Sequence, residues 1–325
     1  MTTRRRLLVT PIAALLAAAS RPAPAQAFPR RDVRLIVPYP PGGITDILAR
    51  KLGEKLAVAW GQSVVIDNRP GVNGNLAAQL AARAEPDGHT LYMGFLGTHA
   101  ANVSLYANPG FDPVRDFQPV SLVANAPMVL TVHPSVPART VQEFIAHARA
   151  NAGKLNFGSS GRAGASHLAL ELFKSLAKVE IEHVPYKGTG PLTIDLVAGR
   201  IQGYFDVPIT AAPNVEAGRV RALAVADTRR SVRLSGVPTT AEAGLPEFLF
   251  TTWLGVLAPA GLPPPVLARL NADIVTVVRS ADFTNWCADQ GLGTLPSTPE
   301  EFARFMAAET GKFARIIREA KITLD

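Results

Sequence analysis

Glycine, serine and threonine residues gather in two short segments of the sequence, where they could bind an anion. The first segment is Pro38-Tyr-Pro-Pro-Gly-Gly43, which Thr45 follows closely, and the second is Gly158-Ser-Ser-Gly-Arg-Ala-Gly164, which Ser166 follows. Glycine lets the backbone approach a ligand without obstruction from a Cβ atom, and a hydroxyl can donate a hydrogen bond. We therefore interpret the two segments as two halves of a clamp for an anion.

Each segment stands between a predicted strand and a predicted helix. The first separates an apolar run at 33–37 from a helical pattern at 44–56, and the second separates 154–157 from 165–173. A helix N-terminus leaves backbone N–H groups unpaired and carries a partial positive charge, which favours an anion. For either segment alone, a tight strand-to-helix turn without a ligand is an equal alternative. The repetition of the arrangement favours binding.

In the first segment the candidate ligand-binding residues are Gly42, Gly43, Thr45 and Asp46. The two glycines free the backbone, and Thr45 offers a hydroxyl. Because Asp46 would repel an anion, we expect it to hold the loop as a helix cap rather than to touch the ligand.

In the second segment Ser159, Ser160 and Ser166 offer hydroxyls, while Gly161 and Gly164 free the backbone. A serine nucleophile is the enzymatic alternative. The segment lacks the Gly-x-Ser-x-Gly elbow that exposes a strained serine, and no base partner can be identified beside it. We therefore predict no catalytic residue.

The histidines do not form a recognisable metal site. His167 begins the second helix, where it could donate to a carboxylate, fix the loop or pack against a neighbouring helix. His167 and Glu171 are four residues apart, but no third ligand accompanies them, and no other histidine has a metal-ligand spacing. The sequence predicts neither a metal nor a cofactor.

Two further strands are predicted to end at the same edge as the glycine loops. Val184-Pro-Tyr-Lys-Gly188 places Tyr186 where it could cover a ligand, and Lys187 could meet a carboxylate or be a solvated surface charge. Asp206 suits a ligand amine, a hydroxyl or a water molecule, and capping of the following turn is the alternative.

The elements that must position these residues alternate between short β-rich runs and helix-length amphipathic segments. This alternation predicts parallel-rich sheets flanked by helices, in which ligands lie beyond the carboxyl ends of the strands. The predicted elements lie at 33–37, 44–56, 64–66, 89–95, 129–132, 141–150, 155–157, 166–178, 181–186, 192–198, 202–206 and 222–226.

The last quarter of the chain differs in pattern. A strand at 251–258 precedes helices at 266–279 and 302–320, and Thr298-Pro-Glu-Glu301 predicts a capping box at the start of the last helix. A chain that leaves one sheet, builds a second and returns has two crossings. We expect them at 120–128 and 248–255, which are extended and lack a helical period.

The N-terminus and the charge balance bound the cellular context. Residues 1–27 contain Thr3-Arg-Arg-Arg-Leu-Leu8, a short apolar run and Ala25-Gln-Ala27, which together predict a cleavable export signal, either twin-arginine or ordinary secretory. Its removal takes four of the 33 Lys and Arg, leaving 29 against 26 Asp and Glu. No basic block remains that would bind nucleic acid or a membrane surface.

The only cysteine, Cys287, is expected to be a buried thiol.

Over the whole mature chain, from Phe28 onward, the sequence resembles the substrate-binding proteins of tripartite tricarboxylate transporters, the Bug family of periplasmic receptors. The matching motifs, besides Arg221-Ala-Leu-Ala-Val225, are Pro38-Tyr-Pro-Pro-Gly-Gly-Ile-Thr-Asp46, Asn68-Arg-Pro-Gly71, Gly97-Thr-His99, Gly158-Ser-Ser-Gly161 with Ser166-His167, Val184-Pro-Tyr-Lys-Gly188 and Asp206.

The resemblance implies a periplasmic-binding-protein fold of the Venus-flytrap type, with two α/β lobes, two hinge crossings and closure on a ligand. Lobe 1 would comprise 28–127 and 250–325, and lobe 2 would comprise 128–249. One loop from each lobe would bind a carboxylate group of the ligand, and Asp206 would contact the other end of the ligand. The residues that the resemblance implies for these loops are Gly42, Gly43, Thr45, Ser160, Ala165 and Ser166, with Gly97 and Thr98 in a further matching motif.

Two residues depart from the family pattern. Pro41 stands where a small alanine is usual, which removes an N–H from the first loop. Arg162 adds a fixed cation beside the second loop, where it would favour a second carboxylate or an aromatic acid.

Three functions are consistent with these features. The leading one is a monomeric receptor that captures a small organic acid and delivers it to membrane permease subunits. A ligand-sensing co-receptor for a membrane sensor kinase keeps the fold but changes the partner. A serine hydrolase that uses Ser160 is the third and has the least support, because the sequence offers no triad.

Overall fold

The structure is a computed structural model that describes residues 28–324. The predicted export signal at 1–27 lies outside the described residues. The strands are β1 (Val33–Val37), β2 (Val64–Asn68), β3 (Thr90–Phe95), β4 (Phe117–Pro127), β5 (Val129–Val132), β6 (Asn156–Ser159), β7 (Glu182–Pro185), β8 (Gly203–Asp206), β9 (Arg221–Val225), β10 (Thr251–Pro259) and β11 (Gly293–Thr294). The helices are α1 (Ile44–Trp60), α2 (Asn75–Ala82), α3 (Asn102–Leu105), α4 (Val141–Ala150), α5 (Ala165–Ala177), α6 (Thr189–Val197), α7 (Pro208–Glu216), α8 (Pro264–Arg279), α9 (Ala281–Asp289) and α10 (Pro299–Glu319).

Two separate sheets confirm the predicted two-lobed α/β fold. The first has the strand order β11-β4-β10-β3-β1-β2, and the second has the order β7-β6-β8-β5-β9. We call the part built on the first sheet lobe 1 and the part built on the second sheet lobe 2. Lobe 1 takes its strands from 33–127 and 251–294, and lobe 2 takes its strands from 129–225.

Both sheets are mixed rather than predominantly parallel. β1 pairs in parallel with β2 and β3, and β6 pairs in parallel with β7 and β8, as strand–helix–strand units require. The remaining pairs are antiparallel, because β4, β5 and β10 carry the chain between the lobes and insert against the direction of their neighbours.

The two crossings lie side by side and hydrogen-bond to each other. β4 leads into β5 through Met128, and the chain returns to β10 through Phe250. The Met128 N–H donates to the Phe250 carbonyl at 2.9 Å, and the Ala226 N–H donates to the Met128 carbonyl at 2.7 Å. The predicted crossings are therefore found, and they form a short hydrogen-bonded hinge.

Local sequence explains where the helices that meet the lobe interface begin. Gly43 precedes α1 and Gly164 precedes α5, and neither position has a side chain that caps the first turn. By contrast, Thr298 and Glu301 form the predicted capping box at α10, away from the interface. The interface helices therefore leave their first N–H groups available, whereas α10 does not.

Cys287 lies in the core, as the sequence predicted. Cys287 is fully buried in the main apolar core, and burial raises the pKa of its thiol to about 12, so it is an unreactive core residue.

Within 28–324, no helix is both long enough and apolar enough to span a membrane. No group of three potential metal ligands occurs in the same range.

Candidate functional site

A small cavity lies between the lobes, where the loops of both meet. Its volume is about 60 Å³, which is the liquid volume of roughly two water molecules. We call it the inner cavity. It is lined by Tyr39, Pro40, Gly43, Ile44, Thr45, Phe95, Met128, Ser160, Ala165, Ser166, Thr189, Tyr204, Asp206, Val207, Thr210, Thr252 and Leu254.

Four helices begin at the inner cavity. Thr45 lies in the first turn of α1 and Ser166 in that of α5, while Thr189 and Thr210 lie in the first turns of α6 and α7. Each N-terminus presents the positive end of a helix dipole, and no side chain caps the first-turn N–H groups of α1 and α5. No Lys or Arg side chain of the described residues lines this cavity. Its positive potential therefore comes from backbone dipoles, the arrangement that binds carboxylates and phosphates at helix N-termini.

Hydroxyl groups from lobe 2 form one wall of the inner cavity. The Ser160 N–H donates to the Ser166 Oγ at 3.1 Å, and the two Oγ atoms are 3.3 Å apart. The hydroxyl of Tyr204 lies beside those of Ser160, Ser166 and Thr189, and burial raises its pKa, so it stays protonated. This cluster can rotate its protons to donate to an anion.

Asp206, on the same strand of lobe 2 as Tyr204, adds a carboxyl group to the lining of the inner cavity. Its Oδ1 accepts hydrogen bonds from the Val207 N–H at 2.8 Å and from the Thr210 hydroxyl. Burial raises its pKa to about 7, which outweighs the two hydrogen bonds that favour the charged form. Near neutral pH Asp206 can therefore be protonated and donate to a ligand oxygen, or be ionised and accept from a ligand hydroxyl or amine.

Gly42 and Asp46, which were predicted as ligand-binding residues, lie outside the lining of the inner cavity. The Gly42 N–H donates to Asp46 Oδ2 at 3.0 Å, and Arg50 and Asn68 also donate to that carboxylate. Burial opposes ionisation of Asp46, but these donors outweigh it and hold its pKa below the usual value. Asp46 thus holds the loop as expected, but it does so through the N–H of Gly42 and the side chains of Arg50 and Asn68 rather than by capping α1.

Gly97 and Thr98 also lie outside the inner cavity lining. They form part of a π-helical turn, Gly97–Ala101, and Thr98 is fully buried, with its Oγ1 2.9 Å from His99 Nδ1. A Cβ atom at Gly74 would lie 3.0 Å from the Thr98 methyl group, so Thr98 packs directly against the turn at Gly74.

Ser159 and His167 brace the second loop from inside lobe 2. The Ser159 Oγ lies 2.6 Å from His183 Nε2 and donates to the Gly161 carbonyl at 3.1 Å. His167 Nδ1 accepts from the N–H of Ala163, whose φ is +63°, and the His167 ring stacks on His183 at 3.9 Å. Burial lowers the pKa of both imidazoles, which keeps them neutral. Of the roles open to His167, the structure shows that it fixes the loop.

The serine environment bears on the hydrolase alternative. Ser159 and His183 have the spacing of a nucleophile and its base, but Ser159 is fully buried and lies outside the inner cavity lining. Ser160 reaches the inner cavity, where its partner is Ser166 rather than a base. The accessible serine therefore lacks the activation that nucleophilic catalysis needs.

Arg162 and Tyr186 line a neighbouring cavity instead of the inner one. This cavity, which we call the outer chamber, has a volume of about 470 Å³ and shares Tyr39, Pro40 and Ser160 with the inner cavity. The Tyr186 hydroxyl donates to Asp195 Oδ2 at 2.8 Å, and the Arg162 Nη1 donates to the Leu324 carbonyl at 3.3 Å.

The two lobes touch around the inner cavity at glycine positions. A Cβ atom at Gly164 would lie 3.3 Å from both the Tyr39 hydroxyl and Asn73 Oδ1, across the interface. Gly188 has a φ of +104°, and a Cβ atom there would lie 3.0 Å from the ring of Pro40. The lobes are therefore closed in this structure, and glycine permits the close approach.

The sequence identified six lining residues: Gly43, Thr45, Ser160, Ala165, Ser166 and Asp206. It missed Tyr39, Thr189, Tyr204 and Thr210, each of which presents a hydroxyl group. Tyr204 could have been found, because it lies two residues before Asp206 on one strand and so faces the same side. Thr189 and Thr210 depend on where α6 and α7 begin, which periodicity places poorly.

A cavity between two closed α/β lobes, lined by helix N-termini and hydroxyls, defines a two-lobed solute-binding receptor. The sequence model for the tripartite tricarboxylate transporter family receptor, TctC, matches residues 48–322. The chain thus belongs to this family of periplasmic solute-binding receptors.

Related proteins agree with this assignment. Protein BugT of Bordetella pertussis is 33% identical over 320 residues, which cover 98% of each chain. Among solved structures, R. palustris Rpa4515 with adipate has a TM-score of 0.89 and 38% identity, covering 91% of this chain and 99% of that one. MatC from Rhodopseudomonas palustris with bound malate has a TM-score of 0.84 and 34% identity, covering 89% and 100%.

The variant Gly164→Ala tests whether glycine contacts permit closure. The new methyl group would crowd Tyr39 and Asn73 of lobe 1 at 3.3 Å, as well as the Gly161 carbonyl of its own loop at 3.2 Å, so the closed form should become less populated. We expect the affinity for any bound carboxylate, measured by calorimetry, to fall by about tenfold for roughly 1.4 kcal/mol of crowding. Gly236→Ala, where the methyl group would meet open space, is the matched control. Equal affinities in both variants would contradict the role of these glycine contacts.

The variant Asp206→Asn tests the raised pKa of Asp206. Between the unfolded value of 3.8 and the folded value of about 7, the folded protein holds a proton that the unfolded chain has lost. The contribution of Asp206 to stability is therefore full below pH 4 and is lost as the pH rises through 7. An asparagine side chain cannot titrate, so the variant should gain stability over the wild type from pH 4.5 to pH 8, measured by urea denaturation without ligand. A constant difference across this range would show that the pKa is not raised.

Proposed function

We propose that this receptor captures a small organic carboxylate in the inner cavity and delivers it to the permease subunits of a tripartite tricarboxylate-type transporter. The observation that carries the proposal is the convergence of four helix N-termini on a cavity that no Lys or Arg of the described residues lines. Such a site stabilises a delocalised negative charge through many modest donors, and it requires no covalent step.

The kind of ligand follows from the chemistry of the lining. First-turn residues of α1 and α5 face one another, so one carboxylate can accept from both lobes at once. Adipate and malate, which accompany the two solved relatives, are both aliphatic dicarboxylates. Their presence supports a carboxylate as the ligand class for this chain.

Closure of the hinge is the proposed signal to the permease. A ligand that bridges α1 and α5 binds the closed form better than the open form, and it therefore shifts the population toward closure. The short hinge at Met128, Ala226 and Phe250 allows this movement without disturbing either sheet. A permease can distinguish the closed, loaded receptor from the open, empty one by the relative position of the lobes.

The proposed setting is the periplasm, which the chain would reach through the export signal predicted at 1–27. We propose that the receptor acts as a monomer and is not an enzyme. The pairing of Ser160 with Ser166 rather than with a base supports the second point.

A thermal-shift panel tests the proposed function. The mature protein is unfolded and refolded to remove bound ligand, and is then heated with mono-, di-, tri- and aromatic carboxylates, each beside its uncharged amide. A carboxylate at about a hundred times its dissociation constant should add roughly 2.7 kcal/mol to the stability, whereas its amide should not. If the refolded protein responded to no carboxylate, or equally to the amides, the proposal would be wrong.

A further inference from the structure

The outer chamber differs from the inner cavity in charge. Arg162 and Lys187 line it together with the rings of Tyr39, Tyr106 and Tyr186, and no Asp or Glu of the described residues does so. The Arg162 cation opposes the rise in pKa that burial causes at the Tyr106 hydroxyl, so its field reaches across the chamber. The inner cavity has no such cation among the described residues that line it, and the chamber is therefore the basic side of the interface.

The sizes of the two cavities limit where a ligand can extend. With the liquid volume of roughly two water molecules, the inner cavity has room for little more than a carboxylate group. A longer acid must project through one of the neighbouring spaces. Because Tyr39, Pro40 and Ser160 line both cavities, the outer chamber is directly adjacent.

The other neighbouring space has the wrong chemistry for a second charge. It is a groove on the far side of Thr189 and Thr210, lined mainly by apolar side chains such as Ile47, Ile194 and Ile209. No charged side chain of the described residues lines this groove. An anionic group would lose hydration there without gaining a partner, whereas two cations line the outer chamber.

We propose that the outer chamber binds the second anionic group of an elongated dicarboxylate whose first carboxylate lies in the inner cavity. Lys187 and Arg162 provide the charge, and the tyrosine rings flank the carbon chain as it passes Ser160 and Tyr39. The inference rests on the proposed function, because the first carboxylate must occupy the inner cavity. It identifies Lys187 as a residue that determines specificity between dicarboxylates and monocarboxylates.

The test compares two acids of equal chain length, adipate and hexanoate, by calorimetry. In Lys187→Gln the affinity for adipate should fall by about fivefold, because Lys187 is exposed and solvent weakens its pairing with an anion, while that for hexanoate should change by less than about twofold. Arg162→Gln should show the same selectivity. Lys154→Gln is the matched control, because Lys154 is an exposed lysine of lobe 2 that lines neither cavity.

The outcomes separate this inference from the proposed function. Three outcomes would overturn the inference and leave the carboxylate receptor intact. In Lys187→Gln, the affinity could fall equally for both acids, or it could fall for neither. In the third outcome the wild type would bind hexanoate but not adipate. If the wild type bound neither acid nor any other carboxylate, both would be overturned. A loss confined to adipate, absent from Lys154→Gln, would support the outer chamber as the second anion site.

Discussion

The structure depends on the unpaired N–H groups at the helix N-termini between the lobes. No side chain caps α1 or α5, although capping is readily available elsewhere in the chain, as at Thr298. These groups need a partner, which is water when the lobes are apart and a ligand oxygen when they close. The same requirement explains why glycine precedes both helices, since a side chain there would either cap the N–H groups or hold the lobes apart.

The surrounding residues keep the loops rigid so that only the hinge has to move. Asp46 anchors the first loop through three donors, and the stacked imidazoles of His167 and His183 support the second. Asp46 and His167 both lie outside the lining of the inner cavity. Fixing the donors before the ligand arrives reduces the ordering cost of binding. Under the proposed function, the main chain would provide most contacts to the carboxylate in the inner cavity, and Asp206 and Tyr204, which also line it, would add side-chain contacts.

The sequence predicted the framework better than the site. Strand–glycine–helix units are local patterns, so β1 with α1 and β6 with α5 could be placed within a few residues. The antiparallel insertion of β4 and β10 depends on long-range pairing, which periodicity does not encode. The sequence likewise identified Asp46 and His167 as residues of the two loops. It could not show whether their side chains point toward the cavity or away from it, because that depends on contacts between distant parts of the chain. Thr189 and Tyr39 come from different lobes, and no spacing along the chain reveals that they line the same cavity.

A crystal structure of the protein with the best-stabilising carboxylate tests the account most directly. We predict closed lobes, with one carboxylate in the inner cavity and its oxygens within about 3 Å of backbone nitrogens in the first turns of both α1 and α5. A carboxylate held by one lobe alone, or by side-chain cations with those N–H groups still bound to water, would contradict the claim that paired helix N-termini create the site.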